Sequence, residues 1–545
     1  MKIAIAQLNY HIGHFKNNLK VMLEAIEQAK KEGADLILFG ELASCGYPPR
    51  DFLEFEDFIQ KSNTTIDALC AASEDIAIVV GAPSVNPVPE GKDLYNSAYF
   101  LHEKEIKHVQ HKCLLPTYDV FDEYRYFEPA TAFNLVPFKG KKIALTICED
   151  IWNIGNENPL YTTCPLDEYE KDQPDLILNL SASPFSFGHI DERREIVRAN
   201  SVRYKTPLFY ANHAGAQTEL IFDGGSLVAN SKGVIVDELK LFEEDIRYYD
   251  LEAVEATTED NIPTHNKMEN IRKALVLGIR DYFAKLGLKK AVLGLSGGID
   301  SALVTVLAAQ ALGKENVKAV LMPSQFSSDH SISDSIELVN NLGIDHNIIE
   351  IQSIYDQFMG QLQPLFEDRP FNVAEENLQS RSRGVLLMAI SNKLGHILLN
   401  TSNKSELAVG YGTLYGDMCG GLSVIGDLYK TEVFELCRHL NKDGEVIPEN
   451  IITKPPSAEL RPNQKDSDSL PDYDILDSIL FEYIENRKGP KEIIEMGHDA
   501  RLVERTLGLV NRNEFKRYQT APVLRISTKA FGMGRRLPIV AKYLN

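Results

Sequence analysis

Apolar residues recur with two periods in this chain, and the periods take turns along it. Residues 2–8 (KIAIAQL) alternate and predict a strand, while residues 17–31 carry Leu19, Met22, Leu23 and Ile26 at helical spacing. Residues 34–39 (ADLILF) are a short continuous apolar run, the signature of a buried strand. Similar runs return at 76–80, 96–101, 143–147, 175–180 and 208–212, with longer polar or helical pieces between several of them. That alternation predicts an α/β fold. Residues 251–267 (LEAVEATTEDNIPTHNK) lose the periodicity and are rich in Glu, Thr, Asn and Asp, which marks a domain boundary.

Helical spacing resumes at Ile271, Leu275, Leu277, Ile279 and Phe283. A second series follows: strand 291–295 (AVLGL), a Ser/Gly turn, a helix from Ser301 to Leu312 stopped by Gly313, and strand 317–324. Helix 327–343 ends at Gly343; strand 344–351, a long helix over 372–394 and a strand in HILLNTSNKSE (396–406) complete the series. This order predicts a mostly parallel, doubly wound sheet with helices on both faces and a nucleotide across the carboxyl ends of the strands. Three domain ranges follow: 1–255, a connection at 256–268, and 269–545.

Composition narrows the partners. The chain has 545 residues, more than one ordinary domain holds, and its 44% hydrophobic and 25% charged residues suit a globular core. A formal net charge of -21 argues against nucleic acid and against anionic membrane surfaces. The seven cysteines form no C-x-x-C pair, so neither zinc nor a disulfide framework is indicated. No signal-type apolar stretch stands in MKIAIAQLNYHIGH and no apolar run reaches spanning length, so cytoplasm is the expected compartment.

The turn Ser296-Gly297-Gly298-Ile299-Asp300-Ser301 lies between strand and helix. Glycines there let backbone N–H groups approach a phosphate, the helix start adds partial positive charge, and Ser296 and Ser301 add hydroxyls. The spacing is neither that of a Walker A loop nor G-x-G-x-x-G. SGGIDS resembles the pyrophosphate-binding signature of the N-type ATP pyrophosphatases. That resemblance implies cleavage of ATP between its α- and β-phosphates and a magnesium ligand at Asp300.

Three residues of the N-terminal half stand where α/β proteins build sites: Glu41 after LILFG, Lys112 in HKCLLPTYDVFDE, and Cys148 in LTICEDIW. Each alone has an ordinary reading, as solvated acid, surface cation or small apolar filler. Together they fit a thiol nucleophile, a carboxylate base, and an ammonium that lowers the thiol pKa and stabilises an oxyanion. The words FGELASCGYPPRDF, HKCLLPTYDVFDE and LTICEDIW resemble the glutaminases of the nitrilase superfamily. The resemblance implies an αββα sandwich, Cys148 as nucleophile, Glu41 as general base, Lys112 as stabiliser and Glu123 as a supporting glutamate. It also implies glutamine contacts at Tyr118, Ser183 and His189, the last in SASPFSFGHIDERR, where many relatives carry Lys or Arg.

Further words in the C-terminal half are ENLQSRSRG (376–384), LNTSNKSELAVGYGTLYGDMCGGLSVIGDLYKTEVFEL (399–436) and PSAELRPNQKDSDSLPDYDILD (456–477). With SGGIDS they resemble the NAD synthetases, and both halves together resemble the glutamine-dependent branch of that family. The implied reaction adenylates the nicotinate carboxylate of deamido-NAD with ATP, and ammonia from glutamine then displaces AMP. The implied ATP contacts are Gly294, Leu295, Ser296, Gly297, Gly298, Ile299, Asp300 and Ser301, with Thr401 and Lys430. Asn377, Arg381, Glu406 and Lys516 are implied at deamido-NAD, and Asp300 and Glu406 at Mg²⁺, which accompanies ATP as the only cofactor. The resemblance further implies a homo-oligomer and an internal ammonia route. Another ammonia-using adenylating synthetase, a plain amidohydrolase and a nucleotide-binding scaffold are the alternatives. The polar segment 460–471 is either a lid over the adenylate or plain disorder.

Overall fold

In the computed structural model, residues 1–545 are described except 155–159, 368, 463 and 545. The chain divides into two compact units, Met1–His265 and Asn266–Asn545.

The first unit contains two six-stranded sheets. One runs in the order Asp245–Asp250, Lys2–Gln7, Leu36–Leu38, Ala77–Val85, Leu94–His102, Glu105–His111. Its three middle strands from Lys2–Gln7 to Ala77–Val85 are parallel, with Ile3 opposite Leu36 and Leu36 opposite Ala77. The other runs Ile235–Glu238, Leu227–Ala229, Leu208–Ala211, Leu176–Leu180, Lys141–Ile147, Val136–Phe138. Alternate residues of each strand face opposite ways. Ile3, Ile5, Leu36 and Leu38 therefore pack with Leu145, Leu176, Leu178 and Phe209 in the layer between the sheets. Ala4, Ala6, Ile37 and Ile78 turn outward onto Met22, Ile26, Ile66 and Leu69 of the helices Phe15–Lys31 and Glu56–Ala72. On the second sheet, Ala144, Ile177 and Leu208 meet Leu166 and Tyr169 of Pro165–Glu170 and Val197 of His189–Tyr204. The result is the expected αββα sandwich.

The second unit holds a five-stranded sheet in the order Asp345–Ile348, Val317–Leu321, Ala291–Gly294, Ile397–Asn400, Leu422–Ser423. Every neighbouring pair in it is parallel. Ile299–Leu312 and Val373–Leu394 pack against the central strand. Leu387 of the latter meets Val292, Val320 and Leu398. The order reverses between Ala291–Gly294 and Ile397–Asn400, the switch point where such sheets bind ligands.

Some local readings shift. The helix after the Ser/Gly turn begins at Ile299, with Gly298 as its N-cap, so Asp300 lies in its first turn. Within the aperiodic stretch after Asp250, Leu251–Ala256 is a helix whose N-cap Asp250 accepts from Glu252 N and Ala253 N. Six residues are too few to display a 3.6-residue period. Regular structure then resumes at Lys267, capped by Asn266. No helix among the described residues is long and apolar enough to cross a membrane.

Candidate active sites

In the first unit, the ends of four strands bring Glu41, Asn96, Lys112 and Cys148 together. Glu41 follows Leu36–Leu38 and is fully buried. Its loop lies against Gly81 of the next parallel strand, where an added Cβ would stand 2.3 Å from Leu42 N. Lys112 follows Glu105–His111 and is also fully buried. Its Nζ donates to Glu41 Oε1 at 2.7 Å and to Glu123 Oε1 at 2.8 Å. Two carboxylates hold the ammonium charged despite its burial, and its pKa lies well above the ordinary lysine value. Glu123 is pushed up to about 7 by burial, against the pull of Lys112, and Tyr47 donates to its Oε1 at 2.8 Å. Asn96 Nδ2 donates to Glu41 Oε1 at 2.7 Å, and Ala182 N–H donates to Oε2 at 3.1 Å.

Cys148 sits directly after Lys141–Ile147 with φ of +44°, a left-handed backbone that a non-glycine residue occupies only under constraint. Asp150 supplies that constraint. Its Oδ2 accepts from Ile147 N at 2.9 Å, and its Oδ1 accepts from Cys113 N at 3.0 Å and Leu114 N at 2.9 Å. One buried carboxylate thus ties the turn carrying the thiol to the strand end carrying the ammonium. Burial of the thiol, reinforced by the Glu41 charge, raises the Cys148 pKa well above 9; the opposing pull of Lys112 is outweighed. The expected lowering by Lys112 is present but outweighed, so the resting group keeps its proton.

Tyr118 Oη donates to Glu149 Oε1 at 2.9 Å, and Tyr161 Oη donates to the same oxygen at 3.1 Å. Ser183 is buried; its N–H donates to Asn212 Oδ1 at 2.8 Å, and its Oγ lies 3.0 Å from His189 Nε2. The histidines 102, 108 and 111 lie on the paired strands Leu94–His102 and Glu105–His111. His111 Nδ1 is 2.7 Å from Ser97 Oγ.

In the second unit, the Ser/Gly turn is held by its own hydroxyls. Ser301 Oγ accepts from Ser296 N at 3.2 Å and donates to Gly298 O at 3.0 Å. Gly297 has φ of +82°, and an added Cβ would stand 2.4 Å from Ser331 O. Both conditions exclude a side chain. Leu295 is buried, its N–H donating to Val320 O at 3.0 Å. Asp300 Oδ1 accepts from Asn403 Nδ2 at 2.9 Å, and Oδ2 accepts from Lys430 Nζ. Lys430 also lies 3.6 Å from Glu406. Burial and the neighbouring Asp300 charge push Glu406 up to about 8, although Lys430 pulls the other way. Thr401 follows Ile397–Asn400 at the same sheet edge.

The remaining candidates converge on one loop. Asn377 Oδ1 accepts from Thr413 Oγ1 at 2.8 Å, Arg381 Nε donates to Leu414 O at 3.2 Å, and Lys516 Nζ donates to Gly410 O and Gly412 O at 2.8 Å. Two residues one helical turn apart and a third far along the chain thus clasp residues 410–414. Segment 460–471 makes ordered contacts: Asp466 is buried and accepts from Tyr473 Oη at 2.9 Å and Tyr411 Oη at 3.2 Å. Residue 463 of that segment lies outside the described residues.

The carbon-nitrogen hydrolase family model matches residues 2–258, and the NAD synthase model matches residues 271–520. The glutamine-dependent NAD(+) synthetase of Synechocystis is 48% identical, over 99% of this chain and 99% of its own. The chain belongs to the glutamine-dependent NAD(+) synthetases. The Thermotoga maritima member of this family is 40% identical over 100% of this chain and 99% of its own. A solved member, the Acinetobacter baumannii enzyme in complex with ADP, superposes with a TM-score of 0.79 at 39% identity, covering 99% of this chain and 98% of that one.

Several groups of these sites escaped sequence reasoning. Glu149 stands beside the nucleophile in sequence, yet only the fold shows it buried under two tyrosines. Asn96 and Asp150 reach Glu41 and the thiol turn through pairings invisible in a linear reading. Arg383, two residues beyond Arg381, is lowered to about 10 by burial, and its Nε donates to Met322 O at 3.0 Å. In ENLQSRSRG the two arginines look equivalent.

Proposed function

We infer that this enzyme converts deamido-NAD to NAD with ATP and glutamine-derived ammonia, residues 1–255 releasing the nitrogen and residues 269–545 using it, joined by 256–268. The observation that carries the reading is a fully buried ammonium held by two carboxylates beside a cysteine in a constrained turn.

In the first unit, Cys148 attacks the glutamine carboxamide. Because the resting thiol is protonated, attack is coupled to transfer of its proton to Glu41. Lys112 stabilises the oxyanion, and Glu123 holds Lys112 in place. The C–N bond breaks as Glu41 returns the proton to the departing ammonia. Glu41 then takes a proton from water, which opens the thioester to give glutamate and restores the thiol. Tyr118, Ser183 and His189 face the amino-acid end of glutamine. Glu149, a buried carboxylate among tyrosines, suits its α-ammonium.

In the second unit, Gly294 to Ser301 cradle the ATP phosphates, with Thr401 and Lys430 as further contacts. The nicotinate carboxylate attacks the α-phosphorus, pyrophosphate leaves, and ammonia then displaces AMP. Asn377, Arg381 and Lys516 face deamido-NAD through the 410–414 loop, and Glu406 faces it from beside Lys430. Asp300 and Glu406 are two hard oxygen donors sharing a single ammonium, a surplus of acid that suits Mg²⁺ arriving with phosphate oxygens. A Mg²⁺ held by Asp300 and Glu406 would neutralise charge on the ATP phosphates. No group of three or more His, Cys, Asp or Glu placed to hold a metal occurs among the described residues.

Exposed apolar residues on Gln352–Phe366 (Phe358, Leu365) and on Val373–Leu394 (Val373, Val385, Met388) support a homo-oligomer. Seven free thiols support a reducing, cytoplasmic setting. The deciding assay supplies ATP, Mg²⁺ and glutamine with either deamido-NAD or xanthosine monophosphate and measures AMP, NAD and glutamate. AMP and glutamate formed only with deamido-NAD, together with NAD, support the reading; turnover of xanthosine monophosphate overturns it. Equilibrium dialysis of Mg²⁺ with ATP against Asp300→Asn tests the metal assignment without turnover, and light scattering tests the oligomer.

A further inference from the structure

The chain has one tryptophan, Trp152, and it stacks on His189 with ring centroids 4.9 Å apart and planes 2° from parallel. Trp152 closes the turn that begins at Cys148; His189 opens the helix His189–Tyr204. Both ring nitrogens of His189 are engaged. Nδ1 lies 3.0 Å from Glu192 Oε2, and Nε2 lies 3.0 Å from Ser183 Oγ. A carboxylate only accepts, so Nδ1 carries the hydrogen of the neutral ring, and Nε2 is then an acceptor. The hydroxyl of Ser183 therefore gives its hydrogen to His189 and has none for a ligand. When the ring gains a proton, Nε2 donates to Ser183 Oγ, and the hydroxyl hydrogen is released to face outward.

We propose that His189 is a positioning residue that switches Ser183 between engaged and donating states, so that glutamine binds through its α-carboxylate with uptake of one proton, and that Trp152 holds the ring for this switch. The inference rests on the glutaminase reading above. The charged groups acting on His189 are Glu192 on its own helix, which favours the proton, Arg193, which opposes it, and Asp223 at the end of Leu220–Asp223, which favours it. Burial opposes the proton most strongly, so the empty site is neutral near pH 7 and the carboxylate of glutamine supplies the compensating charge.

The test uses the full-length enzyme. The KM for glutamine is measured from pH 6 to 8.5 beside kcat, and Trp152 emission, excited at 295 nm, is titrated from pH 5 to 8.5 with and without glutamate, the reaction product, which keeps the α-carboxylate. The proposal expects KM to rise with pH, by up to about tenfold per unit, while kcat changes little. It expects Trp152 emission, quenched by the imidazolium, to titrate with a midpoint that glutamate shifts upward. His189→Arg should flatten the KM profile at a low value, and His189→Gln should flatten it at a high one; the thermal unfolding midpoint checks that both fold. A pH-independent KM together with Trp152 emission that does not titrate overturns the switch even if His189→Gln weakens glutamine. An unchanged KM in His189→Gln at every pH instead overturns the placement of glutamine at His189.

Discussion

The two sites of this chain are built on opposite plans. In the first unit the groups at the reacting end are fixed before a substrate arrives: Lys112, fully buried, already holds Glu41 and Glu123, and Asp150 already fixes the thiol turn. In the second unit the charged groups hold one another in reserve: Lys430 bridges Asp300 and Glu406, and Lys516 rests on backbone carbonyls of 410 and 412. The difference follows from what each must bind. A neutral carboxamide brings no charge to reorganise the site, so the oxyanion stabiliser has to be pre-set in a dry pocket. A tripolyphosphate brings several charges, so its ligands need partners they can exchange.

The sharpest way to break this comparison is to remove the thiol. Cys148→Ala should lower glutamine-driven NAD formation by at least about a thousandfold while ammonia-driven formation persists, as shown by assaying both nitrogen sources. If both stop together, the two plans are not separate. Next in size is Lys112→Met, which leaves two buried carboxylates without their cation. It should abolish glutaminase activity and lower stability by about 3–5 kcal/mol in denaturant titration, because stranding a buried charge costs more than losing a surface pair. A loss under about 1 kcal/mol would mean the cluster relaxes and is not pre-set.

Asp300→Asn addresses the exchangeable plan. It should lower synthesis from glutamine and from ammonia alike, by about a hundredfold, and leave the unfolding midpoint within a few degrees of the parent. Gly297→Ala should act similarly on ATP use while also lowering stability, since it meets both the positive φ and Ser331 O at 2.4 Å. Smallest is the response of Glu406 to pH. Its folded-state pKa of about 8 stands above the ordinary 4.5, so its contribution to stability is complete below pH 4.5 and is lost as pH rises through 8. Glu406→Gln should therefore raise the unfolding temperature of the nucleotide-free enzyme at pH 9 by about 2–4 °C and leave it nearly unchanged at pH 5.

Legibility in the sequence followed the range of the forces involved. SGGIDS was readable because its chemistry is local: backbone, small residues and a helix start lie within six positions. The central strands were readable because strands buried on both faces leave continuous apolar runs, as in ADLILF and AVLGL. The helix Leu251–Ala256 was not, since one and a half turns show no period. Glu149 and Asp150 were overlooked beside a named cysteine for a different reason. A carboxylate after a strand is ordinarily solvated, and only the packing of Tyr118, Tyr161 and the 113–114 backbone makes these two internal.

By itself the chain of residues determined that there are two α/β units, in which order they come, and which thiol, ammonium and Ser/Gly turn are the candidates for their chemistry, because period and motif act over a few neighbouring positions. Only the tertiary structure decided how those groups are charged. The proton on Cys148, the elevation of Glu123 and Glu406, and the engagement of Ser183 by His189 depend on burial and on partners brought from distant strands. Charge in a folded protein is set by surroundings, and surroundings are a property of the fold.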